Sequence, residues 1–295
     1  MRIGTQQQYL ALQELITRAQ SRVADLQVRL ADGKRIRQPS DDPLGTLDVL
    51  SFRRAKAITV SHAANADVGI RNMKLAENAL TGMDEIVKRA RVLVTSGANA
   101  PTSQDARNAM AAEIRTLRER LVGLANSQDG FGRYLFAGTE VTTKPFEEAG
   151  DPPVLTYLGD DGKLLLDVGP GTVMEGNLLL DQQVIAAHAA LYDAEQRLLS
   201  GDVAGLSGVT LQLLQDAGEA VNLLRGEVGQ RQKQFESARQ VAQRRVDDFV
   251  KAISDKEDAD MTQVVTDLTA AQAAYQATLA SFAFVGQLSL LDYLR

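Results

Sequence analysis

The residues able to carry chemistry are few. The chain has no cysteine and no tryptophan, and its only imidazoles are His62 and His188. General acid–base or triad chemistry needs an imidazole held beside a nucleophile or acid. Two histidines in distant segments predict packing or surface roles instead. Without cysteine there is no disulfide, thiolate metal site or thiol nucleophile. Ser207 lies in Gly205-Leu206-Ser207-Gly208, which lacks the spacing of a nucleophile elbow. Gly169-Pro170-Gly171 has no Gly-Lys-Ser/Thr after it, and Pro170 removes an amide donor that a phosphate loop would need. Asp255, Glu257, Asp258 and Asp260 gather carboxylates, but without the glycine turn and bidentate Glu of a calcium loop. They predict a solvated helix face or cap. Arg244-Arg245 followed by Asp247-Asp248 is mixed-sign surface. The formal charge of -6 argues against a broad electrostatic hold on nucleic acid. The expectation is therefore no catalytic residue, no cofactor and no metal, with an enzyme the least favoured class.

The elements that would position a site are easier to read. The 295 residues are 44% hydrophobic and 24% charged, enough for about two domains with a buried core. Gln6, Gln7, Gln8, Gln13 and Glu14 interrupt any hydrophobic region near Met1, so no cleaved secretory signal is expected there. No run of about 18 apolar residues predicts a membrane span. Four of the seven prolines (Pro145, Pro152, Pro153 and Pro170) fall in one window that is also rich in glycine. Within it, Val154 to Leu158 and Lys163 to Val168 flank Gly159-Asp160-Asp161-Gly162, which predicts a hairpin between those two runs. Outside the window the chain predicts long helices.

At the start, Tyr9, Leu12, Ile16, Ala19, Val23, Leu26 and Leu30 recur at alternating steps of three and four, the seam of a coiled coil, and Gly33 follows as a left-handed stop. At the other end, Met261, Val264, Leu268, Ala271, Tyr275, Thr278, Phe282 and Val285 keep the same steps. Between them, one helix starts at Asp42-Pro43, with Asp42 as cap and Pro43 in the first turn, and carries Leu47, Leu50, Ala57, Ala64, Val68, Leu75, Met83, Ile86 and Leu93. A second carries Met110, Ile114, Leu117, Leu121 and Leu124, and residues 183–199 predict a third. A further helix, from about Leu211 to Asp258, carries Leu214, Val221, Leu224, Val228, Phe235, Ala242, Val246, Phe249 and Ile253. Seven seam positions are worth roughly 10–20 kcal/mol, but only where a partner covers them. A lone helix pair covers one side of each helix, so the ends are expected to order fully only when neighbouring chains pack on them.

Two local motifs stand apart from these stripes. Gly33-Lys34-Arg35-Ile36-Arg37-Gln38-Pro39-Ser40-Asp41-Asp42-Pro43 joins two long helices, and its charges are accounted for by a turn with local ion pairs. Gly130-Phe131-Gly132-Arg133-Tyr134-Leu135-Phe136-Ala137-Gly138-Thr139, followed by Pro145-Phe146, sets three aromatics among three glycines where helix gives way to strand. That composition predicts a packed junction.

With these motifs, the opening Met1-Arg2-Ile3-Gly4-Thr5-Gln6, and the closing Ala273-Ala274-Tyr275 to Ser289-Leu290-Leu291, the sequence resembles the bacterial flagellin family. The resemblance covers about residues 1–146 and 210–295. Filament flagellins usually open with an Ile-Asn-Thr-Asn type sequence and close the turn with Lys-Asp-Asp-Ala-Ala. This chain has Ile3-Gly4-Thr5-Gln6 and Ser40-Asp41-Asp42-Pro43, which points to the branch that sits between hook and filament.

The resemblance implies a mainly α fold, a long helical rod with terminal antiparallel coiled-coil helices and a small β-rich insert. It implies a terminal polymerisation region of 1–40 with 261–295, a helical rod domain of 41–138 with 181–260, and a variable insert of 139–180. Because the insert carries no heptad, removing about 150–178 is expected to leave export and assembly intact. The resemblance implies export by the flagellar type III system with an uncleaved signal, and a location outside the cell. The implied partners are further copies in a ring or short helical layer, the hook-side associated protein, flagellin, and an export chaperone on the C-terminal helix, with no nucleic acid and no membrane. The assembly interface it implies is Tyr9, Leu12, Ile16, Val23, Leu26 and Leu30 with Met261, Val264, Leu268, Tyr275 and Phe282. A short filament subunit and, from another class, a soluble signalling or scaffold coiled coil are the competing readings.

Overall fold

The computed structural model describes the backbone of residues 2–99 and 102–293, and the side chains of residues 7, 10–99 and 102–284. Helix α1 is Arg2–Asp32, α2 Pro43–Ala98 and α3 Gln104–Ala125. Four short strands follow: β1 Phe146–Ala149, β2 Val154–Tyr157, β3 Leu165–Gly169 and β4 Thr172–Glu175. Then come α4 Asp181–Ser200, the single turn α5 Val203–Gly205, α6 Leu211–Glu257 and α7 Met261–Tyr293. The chain is thus mainly α with a small β insert, and it packs as two units. One is Met1–Ala57 with Arg245–Arg295, the other Ile58–Arg244.

In the unit of residues 58–244, α2 buries Ala66, Ile70, Met73, Leu80, Met83 and Val87, while α6 buries Leu214, Ala217, Val221, Leu224, Val228 and Phe235. Helices α3 and α4 complete the cluster with Ile114, Leu121, Leu191 and Leu198. Steps of three and four along each helix put these side chains on one stripe, as a helix with one core-facing side requires. Phe235 is fully buried because Gly69 makes room for its ring, where a Cβ would lie 2.4 Å from Phe235 Cε1.

The inward face at the start of α2 differs from the sequence expectation. Leu47 and Leu50 are 63% and 54% exposed, and Ala57 and Ala64 also face out, while Val49, Thr59 and His62 are buried. Two polar residues occupy the covered face here, so a count of apolar residues selects the wrong one.

The insert also corrects an expectation. Val154–Tyr157 does not pair with the run before Val168. β1 pairs antiparallel with β2, Phe146 opposite Tyr157, and β3 pairs antiparallel with β4, Leu165 opposite Glu175. Each strand turns back on its nearest neighbour through Gly150 or Gly171, both at positive φ. The Gly159–Gly162 segment is instead held in place: Thr139 N–H donates to Asp160 Oδ1 at 2.5 Å, and Tyr157 Oη donates to the Asp160 carbonyl at 2.9 Å. Phe146, Leu155, Leu166, Val168 and Leu178 belong to the same cluster as the helices, so the insert is part of the core rather than an appendage to it.

Candidate assembly interface

In the unit of residues 1–57 and 245–295, α1 and α7 share a seam. Its core is Leu26, Leu268 and Ala271, with Val23 and Leu30 packed against them. Val264 is also buried. Leu12, Ile16, Tyr275 and Phe282 are half-buried. Met261, the first residue of α7, is 43% exposed. The side chain of Tyr9 and that of Val285 lie outside the described residues. On the other sides of these helices, large apolar groups stand open: Leu10 is 57% exposed, Leu15 53% and Phe284 63%. The pair therefore covers one stripe per helix and leaves further apolar surface in water, an arrangement typical of surfaces that meet a partner.

The turn between α1 and α2 belongs to the same unit. Gly33, at φ 67°, ends α1, and its N–H donates to the Arg29 carbonyl at 2.9 Å. Asp42 caps α2 by accepting from Gly45 N–H at 2.8 Å, with Pro43 in the first turn. The Gly45 amide, and then the Arg35 guanidinium 3.1 Å away, hold the Asp42 carboxyl below its usual range. Asp41 accepts from the N–H groups of Arg37 and Gln38, which lower it likewise. Pro39 and Ser40 are exposed.

The sequence reading missed where this turn docks. Arg35 N–H and Ile36 N–H both donate to the Glu257 carbonyl, at 2.7 and 3.2 Å, and Ala259 N–H donates back to the Gly33 carbonyl at 2.9 Å. Lys34 Nζ sits 2.5 Å from Asp258 Oδ1, and Arg53 donates to both carboxylate oxygens of Glu257 at 2.9 and 2.8 Å. Of the acidic cluster, Glu257 and Asp258 are thus ion-pair partners of the turn. Asp260 caps α7 through Thr262 N–H at 2.8 Å. Opposite charges in motifs more than two hundred residues apart were the available signal, but spacing alone does not match them.

In the other unit, the second motif is closed by Asp129, which accepts from Phe131 N–H, Arg133 N–H and Arg133 Nε at 2.8, 3.0 and 2.8 Å. Burial raises the Asp129 carboxyl, but those hydrogen bonds outweigh it and hold the group low. Phe136 is buried, Tyr134 half-buried, and Gly132 and Gly138 take positive φ. The packed-junction expectation fails for Phe131, which is 85% exposed with the Arg133 guanidinium 5.5 Å from its ring centre. The flanking glycines lift it away from the core instead of folding it in.

Both histidines in this unit meet carboxylates of the insert. His188 on α4 is buried beside Glu148 of β1, which also pairs with Arg118 of α3 at 2.8 Å. His62 on α2 lies 3.5 Å from Asp167 Oδ2 of β3, and Asn65 donates to the Asp167 carbonyl at 2.7 Å.

Residues 3–141 match the bacterial flagellin N-terminal helical region, and residues 211–294 match the bacterial flagellin C-terminal helical region. The chain belongs to the bacterial flagellin family. Across 99% of both chains, this flagellin-family protein is 26% identical to flagellar hook-associated protein 3 of Escherichia coli. It is 32% identical to the protein of the same name from Salmonella typhimurium over 50% of this chain and 47% of that one. A solved flagellar hook-associated protein 3 from Legionella pneumophila shares its fold, with a TM-score of 0.60 and 12% identity over 70% of this chain and 98% of that chain. Among the described residues no helix is long and apolar enough to cross a membrane.

Proposed function

We propose that this flagellin-family chain is a structural subunit at the junction of hook and filament in the bacterial flagellum, an adapter between two polymers. The observation that carries this reading is the end-to-end similarity to a flagellar hook-associated protein 3, which includes the insert as well as both helical ends. The turn closing on Ser40-Asp41-Asp42-Pro43 supports it further.

In this reading the terminal polymerisation region is 1–40 with 261–295, the helical rod domain is 41–138 with 181–260, and 139–180 is the variable insert. The α1–α7 seam, from Tyr9 to Leu30 and from Met261 to Phe282, forms the inner layer of a ring or short helical layer of copies. The apolar surface that α1 and α7 leave exposed supports this, because an assembled neighbour would cover it. The chain leaves the cell through the flagellar type III system with its N-terminal signal retained. An export chaperone covers α7 until release. Outside the cell it meets the hook-side associated protein on one side and flagellin on the other. Its role is mechanical, with no catalytic step.

The test is a strain lacking this chain and making flagellin normally. Filaments should be absent from its hooks and return when the chain is supplied in trans. If purified protein alone polymerises into long filaments, the short-flagellin reading replaces this one.

A further inference from the structure

The cluster at the base of the seam joins Leu26 to Leu268 and Ala271, with Val23 and Leu30 against them. In an antiparallel pair, setting Leu26 across from Leu268 sets Val23 across from Ala271 and Leu30 across from Val264. Each step of three or four residues on one helix is met by the same step on the other. Carried outward, this match brings Ala19 opposite Tyr275, Ile16 opposite Thr278 and Leu12 opposite Phe282. All six of these side chains are half-buried, as residues in one continuous seam should be.

Three successive layers then join a larger side chain to a small one, and the small one changes sides each time: Ala271 on α7, Ala19 on α1, Thr278 on α7. We propose that this alternation, with Tyr275 over Ala19 at its centre, is the register key of the terminal helices. A seven-residue slip in either direction keeps both apolar stripes in phase, so burial of apolar area does not by itself reject it. The slip does, however, move Tyr275 from Ala19 onto Leu12 or Leu26, so the ring loses its small partner and its layer becomes overfilled relative to the native one. The turn docked at Glu257 to Ala259 sets the base of the seam, and the Ala19–Tyr275 layer carries the same register into its outer half. The inference deepens the assembly reading, and rests on it only for the consequence that copies present identical surfaces to one another.

The absence of cysteine makes the test clean. Full-length protein carrying Ile16→Cys and Thr278→Cys reports the native register by forming an intrachain disulfide on oxidation. Ile16→Cys with Ala271→Cys reports a slip by one heptad. The native pair should close readily and the slipped pair slowly. Adding Ala19→Leu should slow the native pair by about tenfold, and adding Tyr275→Ala to that variant should restore it. An unchanged rate in Ala19→Leu, failure of Tyr275→Ala to rescue, or no closure of the native pair would each overturn the proposal. Because the disulfide forms within one chain, loss of polymer with cross-linking intact counts against the assembly reading alone.

Discussion

His188 Nε2 lies 3.1 Å from Glu148 Oε1, which ties the first strand of the insert to helix α4. Burial holds the imidazole below its ordinary range, Glu148 pulls it up, and the positive Arg118 beside it adds to the lowering. An unfolded chain takes up this proton near pH 6.5, whereas the folded chain resists it. The folded state therefore binds fewer protons, and its stability from the neutral ring is full above that pH and falls as pH drops through the lower folded value. Chemical denaturation between about pH 7.5 and about pH 5 should show the loss, with a shallower slope in His188→Gln. Equal slopes would mean that another group carries the acid limb.

Gly69 on α2 and Phe235 on α6 pack in close contact within the larger unit. A Cβ at Gly69 would fall 2.4 to 2.5 Å from three ring carbons of Phe235. Gly69→Ala should destabilise that unit by about 1–3 kcal/mol through overpacking, despite the better helix propensity of alanine. In a Phe235→Leu background the same change should cost much less. Thermal melts of the four variants form the cycle, and additive effects would count against this contact.

Leu26→Asp places a charge in the seam core against Leu268 and Ala271. The terminal helices should come apart while residues 58–244 stay folded. Limited subtilisin digestion with mass mapping would show both ends trimmed faster than in the parent, with the central fragment equally resistant. Subtilisin suits the task because no Lys or Arg lies between Lys256 and Arg295. Junction function in cells should be lost, and a variant that still supports filaments would refute the assigned role of the seam.

Deleting residues 150–178 should unfold the larger unit. The deletion removes Leu155, Leu166, Val168 and Leu178 from the common core, and each large buried side chain lost costs roughly 2–5 kcal/mol. A truncation confined to the exposed turn at Pro170-Gly171 should instead be tolerated. Circular dichroism and melting of the two deletions compare them directly. A stable Δ150–178 protein would return the insert to the status of an appendage.

Much of this architecture was legible in the sequence for a physical reason. Seam residues such as Leu26 and Leu268 repeat along one helix, and local periodicity records which side is covered. Asp42 and Gly33 announce helix ends through caps that need only neighbouring amides. The partners of the turn were not legible, because Lys34–Asp258 and Arg53–Glu257 pair groups remote in sequence whose charges have many alternative mates. The inward face of early α2 was hidden by Thr59 and His62, which are polar yet buried. The hairpin pairing was misread because Gly159–Gly162 has the composition of a tight turn but is occupied by the Asp160 and Tyr157 hydrogen bonds.

Beside its ion pairs, the joint between the turn and the end of α6 has a main-chain clasp: two amides on one carbonyl of Glu257, and one amide returned from Ala259 to Gly33. Every amino acid supplies a carbonyl and all but proline an amide, so this clasp is insensitive to which side chains surround it. Lineages could exchange Lys34, Arg35 or Asp258 for other residues and keep the corner. A proline at Arg35, Ile36 or Ala259 would undo what a whole set of charge reversals would leave standing.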